Sequence, residues 1–209
     1  MVRAGASAWS WRRLKVRQNW NGYCHYCCQV SAMDNRASGQ AFYSINTEPV
    51  ASVKVGYFTQ YHSVDMPRLS GYLREVDDRV LTMKLYPGID LDWLRRVVVA
   101  KGMRGIVIEL YPSGTGPNVQ GKSLPEFVRC CGDHNRIVIT CLTEMGAKPN
   151  STYETSVEKS AAGALFVGMI PETALVKLMW SLAQSQSADN VKELRAQSLM
   201  GEEGHDTAR

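Results

Sequence analysis

Across 209 residues there is no run of eighteen consecutive apolar side chains, so no segment reads as a helix that crosses a bilayer. There is no Gly-x-Gly-x-x-Gly and no glycine-rich loop closed by Lys-Ser or Lys-Thr, so neither phosphate-cradling fingerprint of a nucleotide site is present. Acidic residues are missing from the first 33 positions, which carry Arg3, Arg12, Arg13, Lys15 and Arg17. The other 19 of the 24 Lys and Arg residues stand against 20 Asp and Glu, so the body of the chain is close to neutral. A nucleic-acid-binding face needs clustered positive charge, and the expectation is therefore no nucleic-acid partner and no membrane partner. The acid-free start fits an organellar transit segment but lacks the continuous apolar stretch of a secretory signal. Trp9, Trp11 and Trp20 crowd it without helical or strand periodicity. The preferred expectation is an irregular basic segment over residues 1–32 of a cytoplasmic protein.

A second cysteine pair is also missing. Cys24-His25-Tyr26-Cys27-Cys28 invites a metal reading, but a closed zinc site needs four ligands. Cys130 and Cys131 are adjacent, and on a helix they point in different directions. The expectation is reduced, free cysteines, no metal and no cofactor. His25, His62, His134 and His205 show no arrangement with a nucleophile and a carboxylate, and each reads as a surface residue. Cys141 reads as strand-end packing.

What is present begins at residue 80. Residues 80–86 form a β-rich run stopped by Pro87-Gly88. Asp90 is placed to cap a helix in which Leu91, Leu94, Val97 and Val98 recur at helical spacing, with Gly102 and Gly105 at its end. A second, largely apolar strand covers 105–111, as expected when both sheet faces are covered. Ser123 is placed to cap a helix over 124–131, and 137–142 is a third strand. This alternation predicts an α/β domain with a small parallel sheet and helices on both faces. Further helices are predicted over 157–166, over 172–184 with Pro171 in its first turn, and over 190–200. Leu175, Leu178, Met179 and Leu182 line one face of the middle one, and Lys177 reads as a solvated helix residue. The tail after Gly201 is polar and expected to be disordered.

The loop Tyr111-Pro112-Ser113-Gly114-Thr115-Gly116-Pro117-Asn118 follows a strand's C-terminal end, where open α/β sheets place ligands. Its glycines permit close backbone approach, and Ser113, Thr115 and Asn118 can hydrogen-bond a small polar ligand. On spacing alone, a tight surface turn explains it equally well.

Glu109 to Pro117, together with Pro171-Glu172-Thr173-Ala174-Leu175-Val176-Lys177-Leu178, resembles the C-terminal domain of the cytosolic (type I) L-asparaginases. Leu85-Tyr86-Pro87-Gly88-Ile89 is similar to that family's strand ending in a Pro-Gly-Ile turn. Lys101 to Ile108 is similar to its glycine-then-strand element, and Asn190 to Glu202 to its closing helix. The likeness covers about residues 80–203, with a fainter one over 33–57. Domain limits follow: 1–32 irregular, 33–79 an interdomain-like linker, 80–203 the α/β domain and 204–209 a tail.

The resemblance implies an amidohydrolase that converts L-asparagine to L-aspartate plus ammonia with a threonine nucleophile on a separate N-terminal domain. It also implies an oligomer in which Ser113, Gly114, Thr115, Gly116 and Asn118 are lent to a neighbouring subunit's substrate site. Thr115 stands where the family has asparagine, and Pro112 where it has glycine. Gly168 replaces a common aspartate, and Glu109 sits where members with an allosteric asparagine site carry arginine. Neither nucleophile motif, Thr-Gly-Gly-Thr-Ile or His-Gly-Thr-Asp-Thr, occurs in these 209 residues. The expectation is therefore a C-terminal domain that is inactive alone, with no catalytic residue of its own. A non-catalytic module docking to a full-length asparaginase is one alternative. A fragment of a glutamyl-tRNA amidotransferase amidase subunit is another, disfavoured by the missing basic face.

Overall fold

A computed structural model of the chain describes residues 71–142 and 161–199, apart from 74, 120, 121 and 198, together with short strands between 17 and 60. The expectations for Trp9, Trp11, Trp20 and residues 201–209 lie outside the described residues. So do the side chains of Cys24, Cys27 and Cys28.

Four strands form the central sheet: β7 (Val80–Lys84), β8 (Gly105–Glu109), β11 (Ile137–Cys141) and β12 (Leu165–Val167). Their order is β12-β11-β8-β7, and every neighbouring pair is parallel. The two central strands are the most apolar, and all five residues of β11 are buried, as two-sided coverage requires. Helices α1 (Leu91–Ala100) and α2 (Leu124–Asp133) join β7 to β8 and β8 to β11. Both predicted caps are made: the Asp90 carboxylate accepts from the Trp93 amide at 2.8 Å, and the Ser123 hydroxyl from the Glu126 amide at 3.4 Å. On this face Leu91, Leu94 and Val98 meet Leu124, Phe127, Val128 and Cys131 over Ile106, Ile108 and Val138.

The other face is covered by α3 (Pro171–Gln184) and α4 (Ala188–Ala196). Ala174, Leu178, Leu182 and Val191 pack there on Val107, Ile137 and Ile139. Sheet and layers are therefore as the sequence predicts. No helix among the described residues is long and apolar enough to cross a membrane.

Four local expectations are corrected. Residues 165–166, read as the end of an Ala-rich helix, belong to β12. Gly163, with φ of 99°, turns the chain out of helical geometry just before it. Gly105 takes no part in ending the first helix, which stops at Ala100 with Lys101 as its C-cap, and it opens β8 as expected; a Cβ there would stand 2.6 Å from Leu178 Cδ2, so the strand start packs closely under α3. The last helix starts at Ala188 and stops at Ala196 rather than spanning 190–200, because the Ser187 hydroxyl caps it earlier, accepting from the Asn190 amide at 3.5 Å. Lys177 is buried, not solvated, and its Nζ donates to the Gln197 carbonyl at 2.6 Å across the α3–α4 contact.

The described strands nearer the start are short. Strands β1 (Arg17–Gln18), β2 (Tyr23–His25), β5 (Ala51–Lys54) and β6 (Tyr57–Gln60) form an antiparallel sheet, and β3 (Val30–Ala32) pairs with β4 (Phe42–Ser44).

Candidate functional site

The C-terminal ends of β7, β8 and β11 lie side by side, extended by bonds from the Leu85 amide to the Glu109 carbonyl and from the Leu110 amide to the Cys141 carbonyl, both 3.0 Å. From this edge the chain leaves β8 into the loop of residues 111–118. The loop closes on itself: the Gly114 amide donates to the Tyr111 carbonyl at 2.7 Å, and the Tyr111 amide to the Thr115 carbonyl at 3.2 Å. Gly114 sits at φ 74°, a conformation that side chains with a Cβ resist. Gly116 is tightly packed for a different reason. A Cβ there would lie 2.5 Å from Leu124 Cδ2 and 3.2 Å from Leu85 Cδ1, so the loop is pressed onto the core.

The Ser113 and Thr115 hydroxyls are 2.8 Å apart and hydrogen-bond each other. Beyond Pro117 the chain forms a small hairpin of β9 (Asn118–Val119) and β10 (Lys122–Ser123). Ser123 donates its hydroxyl to the Asn118 carboxamide oxygen at 3.0 Å, so one serine both caps α2 and fixes Asn118. The Leu124 amide, bonded to the Pro117 carbonyl at 2.8 Å, ties the loop to the helix start. Ser113 and Thr115 are thus brought together on the turn while Asn118 is held separately by Ser123, with Ser113 and Asn118 exposed and Gly114 buried. Sequence reasoning missed Ser123's second role, because the hairpin that sets it opposite Asn118 depends on pairing at five-residue separation in a polar stretch.

From Pro112 to Asn118 the loop holds no titratable side chain, so this stretch offers hydrogen-bonding groups that orient a ligand but no general base of its own. At its base, Lys84 Nζ lies 2.6 Å from Glu109 Oε1, so the two charges offset each other where the loop leaves β8. Cys141 is fully buried. Burial, then the charges of Glu109 and Glu172, push its thiol up to about 12, which disfavours the thiolate and fits packing rather than chemistry. His134, the C-cap of α2, is exposed, its Nδ1 2.8 Å from the Cys130 carbonyl. Among the described residues no three His, Cys, Asp or Glu side chains gather as a metal site. Among the described residues, a cavity of about 180 Å³ lies between α1 and α2 and reaches Ser123, behind Asn118 of the loop, and another of about 140 Å³ lies where β11 and β12 begin.

Comparison with known proteins gives concordant matches. Residues 79–194 match the glutaminase/asparaginase C-terminal domain family. A glutamyl-tRNA(Gln) amidotransferase subunit of Sulfolobus acidocaldarius is 33% identical over 174 residues, covering 78% of this chain and 36% of that protein. The L-asparaginase of Thermococcus kodakarensis is 30% identical over 167 residues, covering 78% of this chain and 49% of its own length. The solved structure of the thermostable Thermococcus kodakarensis L-asparaginase superposes with a TM-score of 0.67 at 27% identity, over 87% of this chain and 55% of that one. L-asparaginase I from Vibrio cholerae, at 22% identity and a TM-score of 0.69, shares the fold. The chain spans about a third to a half of the curated relatives it matches.

Proposed function

Because the chain belongs to the glutaminase/asparaginase C-terminal domain family, we propose that it serves as the C-terminal domain of an L-asparaginase-type amidohydrolase, releasing aspartate and ammonia from asparagine when a nucleophile-bearing domain is supplied. The observation that carries this reading is the self-closed loop at the C-terminal edge of the sheet, which carries the paired hydroxyls of Ser113 and Thr115 and leads into the hairpin that holds Asn118. Ser113, Gly114, Thr115, Gly116 and Asn118 position substrate across a subunit boundary, so the working unit is a homo- or hetero-oligomer. None of them supplies a base or a nucleophile, and positioning groups alone leave a residual rate enhancement of only about 10³–10⁴ over water. The chain by itself is therefore expected to hydrolyse asparagine far below enzyme rates, at a level an ammonia assay does not distinguish from background. A cytoplasmic location belongs to the same proposal, supported by the free thiols of Cys130, Cys131 and Cys141.

The test is co-expression of the full chain with an asparaginase N-terminal domain, read by ammonia release and pull-down. Thr115→Asn replaces a hydroxyl already engaged by Ser113 with a carboxamide, and is expected to raise the complemented activity by about 1 kcal/mol, roughly fivefold. If the chain neither binds that domain nor changes its activity with threonine or asparagine at 115, the loop does not act in trans. Ammonia release by the chain alone that saturates with asparagine would overturn its inactivity.

A second reading is favoured by the relatives that are glutamyl-tRNA(Gln) amidotransferase subunits, at 32–33% identity. In that reading the same domain belongs to an amidotransferase, as a piece covering about 36–37% of such a subunit's length. Complementation of an amidotransferase nucleophile domain with glutamine, but not of an asparaginase domain with asparagine, would select it.

A further inference from the structure

The polar side chains of the loop are held in different ways. Ser113 and Thr115 bond each other hydroxyl to hydroxyl at 2.8 Å, and either can donate, so that pair has no fixed sense. Asn118 is held in one sense. It stands directly opposite Ser123 in the β9–β10 pair, exposed where Ser123 is buried. The Ser123 oxygen accepts from the Glu126 amide at 3.4 Å, and its hydroxyl donates to the Asn118 carboxamide oxygen at 3.0 Å.

This relay of bonds runs outward from the start of α2. A backbone N–H at the positive end of the helix meets a hydroxyl, and the hydroxyl meets a carboxamide oxygen, so each donor strengthens the next. The Leu124 amide, 2.8 Å from the Pro117 carbonyl, fixes the residues flanking both partners. With its oxygen turned to a buried serine, the exposed carboxamide meets a ligand through its nitrogen.

We propose that Ser123 is a positioning residue of the substrate site, acting through Asn118. It holds the carboxamide so that an N–H donor, not an acceptor, faces a carboxylate or carbonyl oxygen of the substrate. That role depends on the loop serving as a substrate-positioning element, and Ser123 sets the sense of its contact.

The test is steady-state kinetics on the full chain co-expressed with an asparaginase N-terminal domain. Ser123→Gly removes the hydroxyl but leaves a residue that helices accept at this cap, so the fold should stand. It is expected to raise KM for asparagine about fivefold with kcat within about twofold, the signature of one lost binding contact. Asn118→Ala should do the same, and the double variant should be no worse than either single change, because both remove one contact. Ser123→Asp keeps the cap, but a carboxylate only accepts, so it turns the carboxamide round. It should raise KM at least as much, and it decides should the glycine variant fail to fold. An unchanged KM in Ser123→Asp, a fall in kcat alone, or losses that multiply in the double variant would overturn the role of Ser123 and leave that of the loop standing. No complemented activity with the unaltered chain would instead remove both roles together.

Discussion

The two faces of the central sheet are covered in different ways. On one, α1 and α2 each carry a polar N-cap and lay a single apolar stripe on the strands, with water on their outer sides. On the other, α3 starts at Ile170 without a side-chain cap and is covered on several sides. Leu178 and Leu182 pack on the sheet, and Lys177 reaches the end of α4. Trp180 and Gln184 bond Leu73, and the Tyr72 and Trp180 rings meet edge-on at 5.1 Å. Arg104 gathers Asp77 and the carbonyls of Leu182 and Ser185 at 2.8–3.1 Å, closing the C-terminal end of α3. A helix with one wet side needs only periodicity and a cap. A helix enclosed on several sides needs partners from distant parts of the chain, and its polar residues become structural.

The largest test of this contrast is Leu178→Ala. Its side chain is fully buried and stands against Gly105 of the sheet, so the expected loss is about 2–5 kcal/mol in a denaturant titration. A loss below about 1 kcal/mol would mean that α3 is not anchored on the sheet through this contact.

Next is Asp77, whose carboxyl is held well below the usual carboxylate range by Arg79 first and by Arg104. A depressed folded-state pKa gives stability that is fully present above the unfolded value, about 3.9, and is lost as pH falls through the folded value. Unfolding midpoints should therefore decline below about pH 4 in the native chain and decline less in Asp77→Asn, which is already weakened by about 2–3 kcal/mol at neutral pH. Parallel pH profiles for the two proteins would show that this network does not couple α3 to the strand entry.

Lys177→Met follows, expected to cost about 1–3 kcal/mol because the Gln197 carbonyl loses its donor. A change within about 0.5 kcal/mol is what a solvated surface lysine would give, and it would restore the reading made from sequence. The smallest effect is Thr115→Ala, expected within about 0.5 kcal/mol, since the lost bond joins two hydroxyls on an exposed turn. A larger loss would show that the Ser113–Thr115 bond holds the turn closed.

Sequence by itself determined the parallel α/β layering of residues 80–142, both N-caps, the family and the loop after β8. Each depends on local signals: apolar runs of strand length, helical spacing, a capping side chain, glycines where the backbone turns. Tertiary structure alone decided the rest. Residues 165–167 became a strand because the open edge of β11 offered them a ladder. Gly116 was claimed by Leu124 and Leu85, and Ser123 by Asn118, through contacts that spacing does not encode. Lys177 was buried because α4 folds back across it, and a lysine's long stem lets the charge find a carbonyl where the sequence pattern offers only solvent.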